Sequence, residues 1–258
     1  MSPVAALWLS ALPAIAGLAL AAWAVATARR NAGLVDVFWS LFLLLAAAVY
    51  ALLAEPGPRG WLALALTAAW ALRLAAYLAA RNWNAPEDHR YRAIRARNEP
   101  GFSWKSLYLV FGLQAVLAWL ISAPLAAAIA SRGPLTALDW AGATLAAFGI
   151  VYESLADLQL ARFKADPAQA GRVMDRGLWR YSRHPNYFGE FCVWWGLYLV
   201  AAGSGGWWTA FSPLLMSVLL LRISGVTLLE KDIGERRPAY RDYVRRTRAF
   251  FPGPLRES

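Results

Sequence analysis

Gly177-Leu-Trp-Arg-Tyr-Ser-Arg-His-Pro-Asn-Tyr-Phe-Gly-Glu190 decides how the chain is read. Arg180, Arg183 and His184 crowd into five residues, and Pro185 must end or redirect any helix that precedes it. The stretch then runs straight into the apolar segment Phe191 to Ala202. Asn186 and Glu190 stand four apart on the first turn of that segment, so they share a helix face. A basic collar beside a membrane explains the arginines. It does not explain an amide and a carboxylate entering an apolar helix, where such groups are costly and mark function.

Outward from this stretch, the composition is that of a membrane protein. Of 258 residues 59% are apolar and only 16% are charged, where a soluble domain carries about 25% charged. Seven segments are long enough to span a bilayer: 4–27, 34–54, 60–80, 106–130, 136–158, 187–202 and 207–230. The sixth is short and begins inside the motif, and Gly203-Ser-Gly-Gly206 turns the chain into the seventh. No basic region precedes the first apolar run, so 4–27 reads as a span and not as a cleaved signal.

The basic residues fix an expected orientation. Alternate connections and the tail hold 22 Lys and Arg, against Arg59 and Arg132 alone on the other side. The positive-inside rule then predicts an external N-terminus, a cytoplasmic C-terminus and an odd number of spans. The same bias accounts for the net charge of +10, which removes the reason to invoke nucleic acid. The single cysteine, Cys192, excludes an intrachain disulfide, and with His89 and His184 as the only histidines no metal site is expected.

Asp36, Arg73, Glu153, Asp157, Glu190, Arg222 and Glu230 fall in or at the lip of these spans, all in the cytoplasmic half. Both signs are present, so they can pair around a polar cavity open to the cytoplasm. Glu153 and Asp157 share one helix face and would repel without an arginine or ligand between them. No acid or base lies deep in the outer half, which argues against a channel or pump. A charged cytosolic ligand such as a nucleotide cofactor suits the cavity, with Arg162 to Arg183 supplying phosphate contacts. Neither a glycine-rich dinucleotide fingerprint nor a P-loop occurs, so such a ligand would be held by side chains on helices.

Two further stretches carry signals. In Arg81-Asn-Trp-Asn-Ala-Pro-Glu-Asp-His-Arg-Tyr-Arg92, Pro86, Glu87 and Asp88 read as a helix start, with Tyr91 and Arg95 at helical spacing. An amphipathic helix lying on the membrane surface is the expected form. In the tail, Tyr240 and Tyr243 precede Phe250-Phe251-Pro252, either as interfacial anchors or as a lid over the cavity. The pairs Trp194-Trp195 and Trp207-Trp208 read as packing and interface belts.

The central stretch and the Tyr240–Pro252 tail resemble the membrane superfamily of steroid 5α-reductases, sterol C=C reductases and isoprenylcysteine carboxyl methyltransferases. The closest resemblance is to bacterial steroid 5α-reductase-like membrane proteins. It is clearest over residues 150–252, and "GLVDVFWS" (33–40) and "RNWNAPEDHRY" (81–91) extend it over most of the chain. The methyltransferases share the Gly-Leu-Tyr-like start and the Arg-His-Pro-x-Tyr core, whereas the reductases carry Asn-x-x-Gly followed by an acid, as Asn186-Tyr-Phe-Gly189-Glu190 does here.

The resemblance implies an all-α fold of seven spans forming a single integral membrane domain over 1–258. About 1–105 would form the substrate side and about 106–258 the cofactor side. It implies NADPH bound from the cytoplasm, a hydrophobic enone entering from the bilayer, a bacterial inner membrane location and a monomer. Asp157, Lys164, Tyr181, Asn186, Glu190 and Arg222 match cofactor-holding positions; Arg180, Arg183 and His184 fit more loosely, and Tyr187, Glu230, Tyr240 and Tyr243 complete the candidate set. Val35-Asp36 falls where steroid 5α-reductases place Gln-Glu, and Trp70 where they place Tyr, so only the carboxylate of their substrate grip survives.

Reducing a C=C conjugated to a carbonyl needs hydride at the β-carbon, a proton at the α-carbon and stabilisation of the enolate oxygen. Asp36, protonated in an apolar pocket, is the expected hydrogen-bond donor, with Trp39 and Tyr77 shaping the pocket or helping to donate. A basic site mouth suits the extra phosphate of NADPH over NADH. An S-adenosylmethionine-dependent methyltransferase and a non-catalytic lipid-binding protein are the alternatives.

Overall fold

The computed structural model describes residues 2–223 and 240–255. Among them the secondary structure is helical throughout, with no strand. The helices are α1 Pro3–Ser10, α2 Leu12–Ala28, α3 Val35–Ala54, α4 Pro58–Asn82, α5 His89–Asn98, α6 Phe102–Ser106, α7 Leu113–Ile121, α8 Ala123–Ile129, α9 Ala137–Ala165, α10 Pro185–Ala202, α11 Phe211–Val218 and α12 Tyr240–Arg246.

Five stretches are helical, long and apolar enough to cross a membrane: Pro3–Ala28, Ala32–Ala54, Pro58–Asn82, Phe102–Ile121 and Gly206–Ile223. These are the helices of an integral membrane protein. The expected segments 136–158 and 187–202 are also helical, as α9 and α10, but stand outside this apolar set. Asp139, Glu153 and Asp157 dilute the first, Asn186 and Glu190 the second.

The expected single span 106–130 is in fact broken. A π-helical turn occupies Leu107–Gly112, and Pro124 at the start of α8 forces a new helix after Ser122. The Ser122 hydroxyl shares a hydrogen bond of 2.7 Å with Tyr50, so the break lies at a buried polar contact.

The chain divides into two compact units. One comprises Met1–Trp140 with Leu197–Ser212, the other Ala141–Gly196 with Pro213–Ser258. The first unit runs on to Trp140 because α7 and α8 pack on α3 and α4.

In the first unit α3 packs most extensively along α4. Its loops are joined by Arg59, which is 2% exposed. Arg59 Nε and Nη2 donate to the two carboxylate oxygens of Asp139 at 2.7 and 2.8 Å. Its remaining donors reach Ser131 Oγ and the Pro134 and Gly203 carbonyls. The Thr136 amide and hydroxyl complete the shell of Asp139. Buried charges persist only when saturated in this way. Nearby, Trp8 and Trp119 exchange indole N–H bonds to each other's carbonyls, their rings stacked 4.5 Å apart.

Candidate functional site

In the second unit the motif is built on a close crossing of α9 and α10. Gly149, Gly189, Gly196 and Gly142 let the two backbones meet. A Cβ at Gly149 would lie 2.5 Å from the Gly189 carbonyl oxygen, and one at Gly196 2.5 Å from the Gly142 carbonyl oxygen. Small residues at such a seam are how apolar helices approach closely.

The contacts pair Gly196 with Gly142 and Ala146, Val193 with Gly149, and Gly189 with Glu153, so the helices run antiparallel. One turn further, the same register sets Asn186 opposite the turn that carries Asp157. Glu153, Asp157 and Glu190 are all buried, as is His184. The Asn186 Oδ1 is buried and meets no hydrogen-bond donor. The crossing therefore gathers three carboxylates, an imidazole and an amide acceptor around the start of α10.

The rest of the motif is a short 3-10 turn, Gly177–Arg180, followed by a loop into Pro185, the first residue of α10. Gly177 has a φ of 57°, and a Cβ there would collide with the Gln159 amide 2.5 Å away. That closeness lets Gln159 Oε1 accept from the Leu178 amide at 2.9 Å. The Trp179 indole donates to the Ala156 carbonyl at 3.0 Å and fixes the loop to α9.

The C-terminal segment closes over this loop. The Arg183 amide donates to the Arg248 carbonyl, the Ser182 hydroxyl to the Phe250 carbonyl, and the Gly253 amide to the Tyr181 carbonyl. The Arg183 guanidinium donates to the Val244 and Thr247 carbonyls, and the Tyr243 hydroxyl to the Trp179 carbonyl. Arg183 and Tyr243 thus hold the segment in place, a structural role beside the ligand contact expected of them. Phe250 and Phe251 pack edge-on against Phe188 and Phe191. The tail is docked on the motif.

Of the other candidates, Tyr187 stacks its ring on His184 at 5.7 Å, and Tyr240 is buried against Tyr243. Lys164, Arg180, Tyr181 and Arg222 are exposed. Glu230 lies outside the described residues.

The first unit brings together two stretches that the sequence left apart. Tyr91 on α5 donates to Asp36 Oδ1 at 2.5 Å, and Arg90 reaches Asp36 Oδ2 at 3.1 Å. Asp36, the expected donor to a substrate oxygen, is thus in contact with Tyr91 and Arg90. Gln114 adds a longer bond, 3.4 Å, to the Tyr91 oxygen.

The α5 helix docks one face on the unit through Arg90, Tyr91 and Arg95. Asp88 caps it by accepting from the Arg90 amide. Glu87 accepts from both Arg95 nitrogens and from the Ala32 amide. Burial opposes ionisation of Glu87, but those donors outweigh it and hold the carboxyl below its ordinary value. Burial, and then the negative Asp36, push the Tyr91 hydroxyl well above its own. Trp39 and Tyr77 are half-buried on α3 and α4, and the Arg81 guanidinium lies 5.6 Å from the Tyr77 ring centre.

Residues 22–247 match the family described as protein of unknown function DUF1295. The chain belongs to this family. DUF1295 is a family of the steroid 5α-reductase superfamily, so the resemblance read from the motif holds at that level. An uncharacterized protein of Schizosaccharomyces pombe, C594.04c, is 35% identical over 138 residues, covering 45% of this chain and 39% of the relative. The chain thus spans about two fifths of the length of that curated relative. No solved structure matches this DUF1295 chain.

Proposed function

We propose that this protein reduces a C=C bond conjugated to a carbonyl in a lipid-soluble substrate, of the 3-oxo-Δ4-steroid kind, with NADPH as reductant. The observation that carries the reading is the buried Asn186 Oδ1 without a donor, at the turn where Asp157 and Glu190 are also buried. A cluster of buried acceptors suits a ligand edge that presents N–H and O–H groups, as a nicotinamide carboxamide and ribose hydroxyls do. Membership of the superfamily and the Asn-x-x-Gly-Glu pattern support the same choice over methyl transfer.

Asn186, Asp157 and Glu190 would hold the cofactor, with Tyr187 and His184 walling it and the exposed Lys164, Arg180 and Arg222 facing its phosphates. When bound, NADPH supplies the hydride. The chain's own tasks are to exclude water, which the docked Phe250-Phe251 segment favours, and to stabilise charge at the substrate oxygen. Asp36, held by Arg90 and Tyr91, would serve that oxygen, with Tyr77 and Trp39 as helpers. The topology that accompanies this reading has seven spans, an external N-terminus and the site facing the cytoplasm, supported by the split of basic residues.

The test is mass spectrometry of what co-purifies from detergent, with thermal shift against NADPH, NADH and S-adenosylmethionine. Stabilisation by NADPH that is lost in Glu190→Gln and Asn186→Ala supports the reading. Stabilisation by S-adenosylmethionine alone overturns it. Hydrophobic enones are then screened for turnover.

A further inference from the structure

We infer that Ser182 is a positioning residue: it ties the docked tail to the start of α10, so that tail docking and ligand binding at Asn186 strengthen one another. The serine is fully buried, and its hydroxyl is engaged on both sides. It donates to the Phe250 carbonyl of the tail at 2.7 Å and accepts from the His184 amide at 3.1 Å. One oxygen thus joins two segments that lie far apart in the chain.

His184 is the residue from which α10 starts. Its carbonyl accepts the first helical bond, from the Phe188 amide at 3.1 Å. Pro185 follows with no amide hydrogen to give, so the direction in which the helix leaves the loop is set by the bonds of His184. Asn186 comes next, and its buried Oδ1 meets no donor. Such an acceptor serves a ligand only while its turn is held, because a frayed first turn swings the carboxamide out of place.

The tail is fastened to the same loop at several points. The Arg183 amide donates to the Arg248 carbonyl at 2.9 Å, and the Gly253 amide to the Tyr181 carbonyl at 3.1 Å. The Tyr243 hydroxyl, besides its bond to the Trp179 carbonyl, reaches the Ser182 carbonyl at 3.3 Å. These bonds hold the tail on the loop; the serine hydroxyl carries the constraint into the helix. Undocking the tail takes the Phe250 acceptor from Ser182 and loosens its hold on the His184 amide. A ligand that needs the Asn186 turn ordered therefore binds the docked form better, and by linkage it favours docking by the same factor. The identity of that ligand rests on the reductase reading; the link from tail to helix start does not.

The test uses the full chain in detergent, well below its unfolding midpoint. Hydrogen exchange without ligand compares the wild type with Ser182→Ala. Amides 188–191 are expected to exchange faster in the variant, and those at the far end of α10 at the wild-type rate. Direct titration should show NADPH held roughly fivefold more weakly by folded Ser182→Ala, the worth of one hydrogen bond. A serine that only stabilised the fold would lower the midpoint and leave that affinity alone. In the wild type, NADPH should slow proteolysis of the tail after Tyr240. If Ser182→Ala does not fold, Tyr243→Phe loosens the tail from outside the helix start and must show the same faster exchange at 188–191. Unchanged exchange there in a folded variant, or NADPH that binds without protecting the tail, overturns the inference. A wild type that does not bind NADPH overturns the reductase reading instead, and the exchange result then decides the inference by itself.

Discussion

A Cβ at Gly189 would stand 2.6 Å from the Cβ and 2.7 Å from the amide nitrogen of Glu153. No side chain fits there, so α10 meets α9 backbone to backbone at the turn that carries the buried acids. Gly189→Ala is therefore expected to lower stability by about 1–3 kcal/mol or more, since the Glu153 amide nitrogen and the Gly149 carbonyl oxygen, 2.8 Å away, are main chain and the Glu153 Cβ is fixed to it, so none can yield. Thermal unfolding in detergent reads the loss, and ligand stabilisation should fall with it. An unchanged midpoint would mean that the crossing is looser than described.

The Arg59–Asp139 pair gives a second prediction. Removing one partner leaves the other charge buried, so Asp139→Asn or Arg59→Met alone should cost about 3–5 kcal/mol. Replacing both by apolar residues should recover much of that. If the double variant is as unstable as the sum of the singles, the remaining bonds from Arg59 to Ser131, Pro134 and Gly203 matter more than the ion pair.

Docking of α5 depends on pH through Glu87. Its folded pKa lies below the ordinary 4.5, so its contribution is complete above about pH 4.5 and is lost as pH falls through the folded value. Hydrogen exchange of α5 should rise over that acid window. Glu87→Gln should raise exchange at neutral pH and flatten the dependence. A wild-type helix equally protected on both sides of the window would remove Glu87 from the docking.

Tyr243→Phe deletes the hydroxyl that donates to the Trp179 and Ser182 carbonyls. It leaves a buried carbonyl short of a donor, which costs about 1–3 kcal/mol. Limited proteolysis should cut the tail after Tyr240 faster than in the wild type, with the apolar helices intact. Tail cleavage at the wild-type rate would show that Ser182 and Arg183 close the segment by themselves.

The membrane character, most helix positions and the helix start at Pro185 were legible in the sequence, because they depend on local content: apolar runs of bilayer length, a proline at a helix start, and polar groups where they are expensive. The break of the fourth apolar segment was passed over because Pro124 sits in a run of bilayer length, where hydropathy alone registers a single span. The roles of Asp36 and Arg59 were hidden for a related reason. Each has its partner 54 to 80 residues away, Arg90 and Tyr91 for one, Asp139 for the other. A carboxylate's chemistry is set by what stands beside it, and no spacing rule reaches that far. The sequence by itself determined that acids and an amide enter the apolar helices. Only the tertiary structure decided which of them are paired and which, like Asn186, still offer an acceptor, because pairing is a matter of distance in space between groups that the chain order keeps apart.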